Sequence, residues 1–254
     1  MEFLRQVTFE TSCCQIEMSF SVDKSIMDTN TTKLNNFVFS SIPDSTKKAL
    51  DFLSTQKWIG GSGWYLAGGT ALALQAGNRK SVDLDFFTTE KDFETEDVLS
   101  HFKDNKNWDI GFERPNTVYG VLCDAKVSFI AYPFFVPKQK FLEYGFVKIL
   151  DKTDVAVMKI VAISQRGRKR DFFDLYWCAQ NIEPLQNIIR RLPEQYPSVA
   201  HDYHHILKSM VYFDDAESDP EPVIFFDADW KKVKSFFQKE IPELTKKLMQ
   251  LNYK

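Results

Sequence analysis

The sequence predicts an α/β (α+β) chain in which a mixed-sheet core over residues 27–150 is followed by a helical C-terminal domain over 151–254. Three observations carry this. Residues 57–150 alternate between short apolar, aromatic-rich runs and helix-forming stretches. After Asp151 the pattern is helical throughout. The final stretch repeats Trp230, Val233, Phe237, Ile241, Leu244, Leu248 and Leu251 at steps of three and four, which gives one apolar stripe on a lysine-rich helix.

The elements follow in order. The first 26 residues hold a Thr-, Ser- and Cys-rich stretch that reads as an added arm or edge strand of unknown role, and Met27-Asp28-Thr29-Asn30 reads as an alternative start. Residues 43–56 read as a helix opened by Pro43 or Asp44. Trp64 to Ala67 is a strand, Gly68-Gly69 a sharp turn, Thr70 an N-cap, Ala71 to Gln75 a helix and Gly77 its C-cap. Ser81 to Phe87 alternates polar and apolar and reads as a second strand. Phe93 to Phe102 reads as a helix, Val118 to Ile130 as two strands about a turn near Asp124, and Gly145 to Leu150 as a short strand. Val155 to Ile163 and Asp171 to Ala179 are apolar helices, and Asp214 to Pro222 is an acidic, solvent-exposed connection. The C-terminal stripe is read as core packing, with a docking surface for a partner protein as the alternative.

Residues 64–87 carry the chemistry. A strand, a glycine turn and a helix start bring free backbone N–H groups and the positive end of a helix dipole to one point, an arrangement that favours phosphate. Gly68, Gly69 and Thr70 are the residues expected to hold the phosphates of a nucleotide. On the following strand Asp83 and Asp85 project from one face, Leu84 and Phe86 from the other. Two carboxylates on one face repel, and a hard cation such as Mg²⁺, or Mn²⁺ in its place, relieves that repulsion while binding phosphate oxygens. A GG turn alone, or a D-x-D strand alone, is commonplace; the two in this order are specific.

Lys159 is the one charge within the apolar helix Val155 to Ile163, so its ammonium must reach a cleft, a carboxylate or a phosphate, or snorkel at the helix edge. Asp171 and Asp174, three apart, share a face among Phe172, Phe173, Leu175, Tyr176 and Trp177. Asp171 also suits the N-terminal turn of its helix. Arg166, Arg168, Lys169 and Arg170 form the densest basic run, either a solvated turn or an attractor for triphosphate or RNA backbone.

These motifs, Leu66 to Leu74, Arg79-Lys80-Ser81 through Asp83-Leu84-Asp85-Phe86-Phe87, Asp154 with Lys159, and Arg166 to Asp174, resemble those of the AbiEii toxin-type nucleotidyltransferases, a branch of the DNA polymerase beta-like nucleotidyltransferase superfamily. The resemblance covers about residues 64–178 and leaves both ends of the chain unexplained. It implies a nucleotidyltransferase core, a cleft between core and helical part, and transfer of a nucleoside monophosphate from a nucleoside triphosphate with release of pyrophosphate. Asp83 and Asp85 would hold the metal, and Arg79, Ser81 and Lys159 would contact phosphate. Asp171 or Asp174 would orient the nucleotide or the attacking hydroxyl. The acceptor suggested first is RNA such as tRNA, and the setting a bacterial toxin–antitoxin or abortive-infection pair with a cognate antitoxin. One departure stands out. The superfamily usually has a third acid on a later strand, and here Ser128 occupies that position, with Asp124 as the substitute if the strand begins earlier. That departure keeps alive a non-catalytic nucleotide-binding module, beside nucleotidylation of a protein hydroxyl.

With 254 residues, 44% of them hydrophobic, and a formal net charge of −3, the composition argues against a broadly basic nucleic-acid binder, so any RNA contact must come from a local patch. Cys13, Cys14, Cys123 and Cys178 have no metal-type spacing and suggest a reducing cytoplasm. No apolar run is long enough to span a membrane, and no secretion signal is apparent. His201, His204 and His205 lack accompanying ligands and are not read as a metal cluster.

Overall fold

In the computed structural model of the chain, residues 36–251 are described, side chains through residue 247. They fall within one compact unit, Asn35–Lys254. The proposed arm 1–26, the alternative start at Met27, Cys13 and Cys14 lie outside the described residues, as do the side chains of Leu248 and Leu251.

After helices α1 (Asp44–Ser54) and α2 (Lys57–Gly61), the chain runs through β1 (Tyr65–Ala67), α3 (Gly68–Ala76), β2 (Leu84–Thr88), α4 (Thr95–Ser100), β3 (Trp108–Arg114), β4 (Thr117–Leu122), β5 (Ala125–Ala131), β6 (Leu142–Tyr144) and β7 (Val147–Ile149). The strands form one mixed sheet in the order β3-β4-β5-β2-β1-β7-β6. β2 runs antiparallel to β1 and parallel to β5, and β1 runs parallel to β7. The remainder is helical: α5 (Lys152–Arg166), α6 (Lys169–Asn181), α7 (Leu185–Arg190), α8 (Leu192–Gln195), α9 (Tyr203–Ser209), α10 (Asp214–Glu217) and α11 (Trp230–Leu251).

One sheet face is sealed by aromatic packing. Phe129 of β5 sits at its centre, with ring centroids 5.2 Å from Phe86, 5.2 Å from Trp64 and 5.8 Å from Trp58. Burial of these rings is a main driving force for seating α2 and α4 there. Toward the other face α3 packs against α5 and α6. Phe172 of α6 meets Phe213, Trp230 and Phe237.

The stripe from Trp230 through Val233, Phe237, Ile241 and Leu244 is therefore buried core. The docking-surface alternative fails for these five residues because their faces are already covered. Three further expectations are corrected. Thr70 is not an N-cap: the helix begins at Gly68, and Thr70 is buried in its first turn. The helix expected over 93–102 shortens to α4: Glu94 takes extended backbone, ψ 121°, and the Phe93 amide before it is held by Asn116 Oδ1. The acidic segment 214–222 is not a free connection. It contains α10, and its Asp219 accepts from the Lys169 amide at 2.9 Å and pairs with Arg168, so it is tied to the start of α6.

Candidate active site

A cavity of about 350 Å³ lies between the sheet and α5. Its wall on the β1–α3 side is the predicted glycine turn. Gly68 takes left-handed backbone, φ 70°, which only glycine adopts without strain. Gly69 is needed for a different reason. A Cβ there would stand 2.2 Å from Arg79 Nη2, so the close approach it permits is that of the arginine side chain. No side chain caps the N-terminus of α3, and its first-turn N–H groups have no intrahelical partners. The Thr70 hydroxyl donates to the Asp83 carbonyl and shares a 2.9 Å hydrogen bond with Ser81 Oγ. That link clamps the helix start to the chain entering β2.

Asp83 and Asp85 both face the cavity, while Leu84 and Phe86 are fully buried on the opposite side. The period-two alternation places them as read. Ser128 lies directly across from Asp85 on β5 and donates to its Oδ1 at 2.7 Å. Burial, and then the neighbouring Asp83, push the Asp85 carboxyl above its ordinary range, against the Ser128 hydrogen bond and the Arg170 charge. Asp124 does not supply a third acid. It is exposed at the β4–β5 turn with φ 64°, four residues of strand away from Ser128 and outside the cavity lining. Among the described residues no group of three or more His, Cys, Asp or Glu could hold a metal ion. The donor set is two carboxylates, which is what Mg²⁺ ordinarily takes from protein when phosphate and water complete its shell.

The second pair of acids behaves differently. Asp174 is fully buried and accepts from Arg79 Nε and Nη2, each at 2.8 Å, and from Asn78 Nδ2 at 2.8 Å. Lys159 Nζ lies 2.7 Å from Asp174 Oδ2 and 2.7 Å from Asp171 Oδ1. Asp171 also accepts from Arg166 Nε at 3.1 Å. Burial alone would raise both carboxyls, but Arg79 and Lys159 hold Asp174 well below the usual range, and Lys159 and Arg166 do the same for Asp171. Arg79, Lys159 and Arg166 all line the cavity, so the two buried acids act by fixing three cations on its wall.

The basic run divides in two. Arg166 and Arg170 line the cavity, and Arg170 stands 3.6 Å from Asp83. Arg168 and Lys169 turn away to Asp219 and Glu221. Asp154, at the other end of the motif from Lys159, faces away from the cavity and accepts from the amides of Lys138 and Gln139 and from Gln195 Nε2. Lys159 lies five helical positions further on, which turns the two side chains some 140° apart. Asp154 is thus an anchor for the loop before β6. His201 and His205 each bond a carbonyl oxygen, of Tyr196 and Ser164, and neither joins a metal cluster.

Sequence reasoning missed the apolar part of the cavity: Phe87, Tyr119 and Ile130 from the sheet, Tyr132 just after β5, Met158 and Ala162 from α5. Phe87 continues the Asp83–Asp85 parity and Ile130 that of Ser128, so strand alternation held a usable signal for those two. Among the described residues no helix is long and apolar enough to cross a membrane.

The comparisons with known proteins agree with this geometry. The family model described as "Nucleotidyl transferase AbiEii toxin, Type IV TA system" matches residues 52–113 and 128–249. An uncharacterized protein of Aquifex aeolicus (strain VF5) is 33% identical over 189 residues, 71% of this chain and 87% of that one. Among solved structures, the nucleotidyltransferase toxin MenT4 from Mycobacterium tuberculosis H37Rv is similar at a TM-score of 0.50 and 15% identity, covering 80% of this chain and 86% of that one. That likeness speaks for the fold alone. The family match takes in the glycine turn, the carboxylate strand and the helices bearing Lys159, Asp171 and Asp174, and on that extent the chain belongs to the AbiEii toxin family of nucleotidyltransferases.

Proposed function

We propose that the protein transfers a nucleoside monophosphate from a nucleoside triphosphate to an RNA acceptor such as tRNA, as a toxin held in check by a cognate antitoxin. The observation that carries this is the juxtaposition, in one cavity, of two carboxylates, an uncapped helix N-terminus and four cationic side chains. Asp83 and Asp85 would hold Mg²⁺, or Mn²⁺, which when bound neutralises charge on the transferred phosphorus. Gly68, Gly69, Thr70 and Ser81 line the seat for the β- and γ-phosphates, and Arg79 and Lys159 neutralise them. Arg166 and Arg170 also line the cavity, with Arg170 3.6 Å from Asp83. An acceptor hydroxyl attacks the α-phosphorus in line, its O–P bond forms as its proton passes to solvent and the bond from the α-phosphorus to the bridging oxygen breaks, and pyrophosphate leaves toward Arg79 and Lys159. Asp171 and Asp174 position these cations and do not touch the nucleotide.

The test is incubation with each of four α-labelled nucleoside triphosphates, Mg²⁺ and total cellular RNA plus protein, beside an Asp83→Ala, Asp85→Ala control. Label that enters nuclease-sensitive material in the wild type only is the expected result. Label in protease-sensitive material would move the acceptor to a protein hydroxyl, and no label with intact nucleotide binding would leave a binding module.

A further inference from the structure

In-line displacement fixes the side from which the acceptor arrives. With pyrophosphate leaving toward α3 and Arg79, the attacking hydroxyl must approach from the opposite side of Asp85, over β5 and β4. That direction is marked by a single cross-strand row. Asp85 pairs with Ser128, Ser128 with Tyr119, and Tyr119 with Phe112. Residues directly opposite in a ladder share a sheet face, and strands lie about 4.8 Å apart, so Tyr119 stands about 10 Å and Phe112 about 14 Å out from Asp85.

Both rings are available. Tyr119 reaches the cavity and is 38% exposed; Phe112 is 53% exposed. Their centroids are 6.3 Å apart with the planes inclined 31°. Phe112 is on this face only because β3 is irregular. Trp108 of the same strand points to the buried face, stacked on Phe102 at 4.2 Å, and strict alternation would send Phe112 the same way. The register shift between Ile110 and Phe112 turns it to the cavity face instead. Lys126, exposed and two residues before Ser128, lies on that face as well.

We infer that Tyr119 and Phe112 form a stacking platform for the terminal base of a single-stranded RNA acceptor, with Lys126 beside its phosphodiester. The inference rests on the nucleotidyl-transfer reading above. Two exposed rings, one of them lining the reaction cavity, with a cation on the same sheet face, match how single strands are held without sequence preference.

The test measures binding of a fluorescent eight-nucleotide RNA by anisotropy, without nucleoside triphosphate, to the wild type, Phe112→Ala and Phe112→Trp. A second RNA with an abasic 3′ residue is measured alongside. Phe112→Ala should weaken binding about tenfold, Phe112→Trp should retain it, and the abasic end should cost the wild type a similar factor but Phe112→Ala nothing more. Affinity for each nucleoside triphosphate, by calorimetry, should be the same in all three proteins. Equal RNA affinity of Phe112→Ala and wild type, or no effect of the abasic end, would overturn the platform. Because no turnover is involved, Phe112-dependent RNA binding by a wild type that transfers no nucleotide would support the platform while refuting the transfer reading. RNA labelling with RNA affinity independent of Phe112 would refute the platform alone.

Discussion

Two pairs of acids, one lining the cavity and one behind its wall, differ in how they are ion-paired. Asp171 and Asp174 are buried, ion-paired to Arg79, Lys159 and Arg166, and held below the usual carboxylate range. Asp83 and Asp85 face open space, and Asp85 is pushed above that range by burial and by its neighbour. Spacing put each pair on one face of its element, two apart on a strand and three apart on a helix. What separates them is how many cations each carboxylate already holds. The pair with more cations builds the wall, and the pair with fewer, Asp83 at 3.6 Å from Arg170 and Asp85 beside the Ser128 hydroxyl, is left to bind what arrives.

The largest expected contrast follows from this. Asp85→Asn should reduce nucleotide transfer by on the order of 10²–10³-fold or more, while leaving the melting temperature close to that of the wild type. Asp174→Ala should do the reverse first. Removing it leaves Arg79 without its carboxylate and Lys159 with Asp171 alone, and should cost about 3–5 kcal/mol of stability, read from denaturant unfolding. Equal melting of the two variants would erase the distinction.

The pH dependence sharpens it. Asp171 and Asp174 have depressed folded-state pKa values, so their stabilisation is present above the unfolded carboxylate pKa of about 3.9 and is lost as pH falls through the folded values. The stability deficit of an Asp171→Asn, Asp174→Asn protein should therefore be full near neutrality and shrink on strong acidification. A deficit unchanged down to the acid transition would show that the network contributes through packing and not charge.

Gly69→Ala should have a smaller effect. The added methyl displaces Arg79 from its place against the helix start, costing about 1–3 kcal/mol and weakening triphosphate binding, with Asp83 and Asp85 untouched. The smallest change is expected at Ser128. Ser128→Ala removes a hydrogen bond that favours ionised Asp85, so the acid limb of the transfer rate should move to higher pH, with little loss at the plateau. A limb that stays in place would mean Asp85 does not control it.

The strand–turn–helix–strand from Tyr65 to Thr88 was legible because its residues satisfy local rules: glycines where backbone must turn, strict alternation where one face is buried. The helices bearing Lys159 and Asp174 were legible from their apolar runs. The partners were not. Arg79 and Asp174 are 95 residues apart, and nothing local announces that one fork will grip one carboxylate. β3 went unassigned although Trp108, Ile110 and Phe112 alternate with Asp109, Gly111 and Glu113, because a glycine in the middle of the run weakens a strand reading. The segment 214–222 looked free since its acids are polar in any setting; only the fold reveals Arg168 and Lys169 beside them.

The most direct test of the division between reactive and positioning acids is one paired measurement on Asp85→Asn, thermal melting beside transfer of α-labelled nucleotide in Mg²⁺. A protein that melts like the wild type yet transfers nothing is the expected result. Transfer at the wild-type rate would contradict the assignment of Asp85 to the reacting centre.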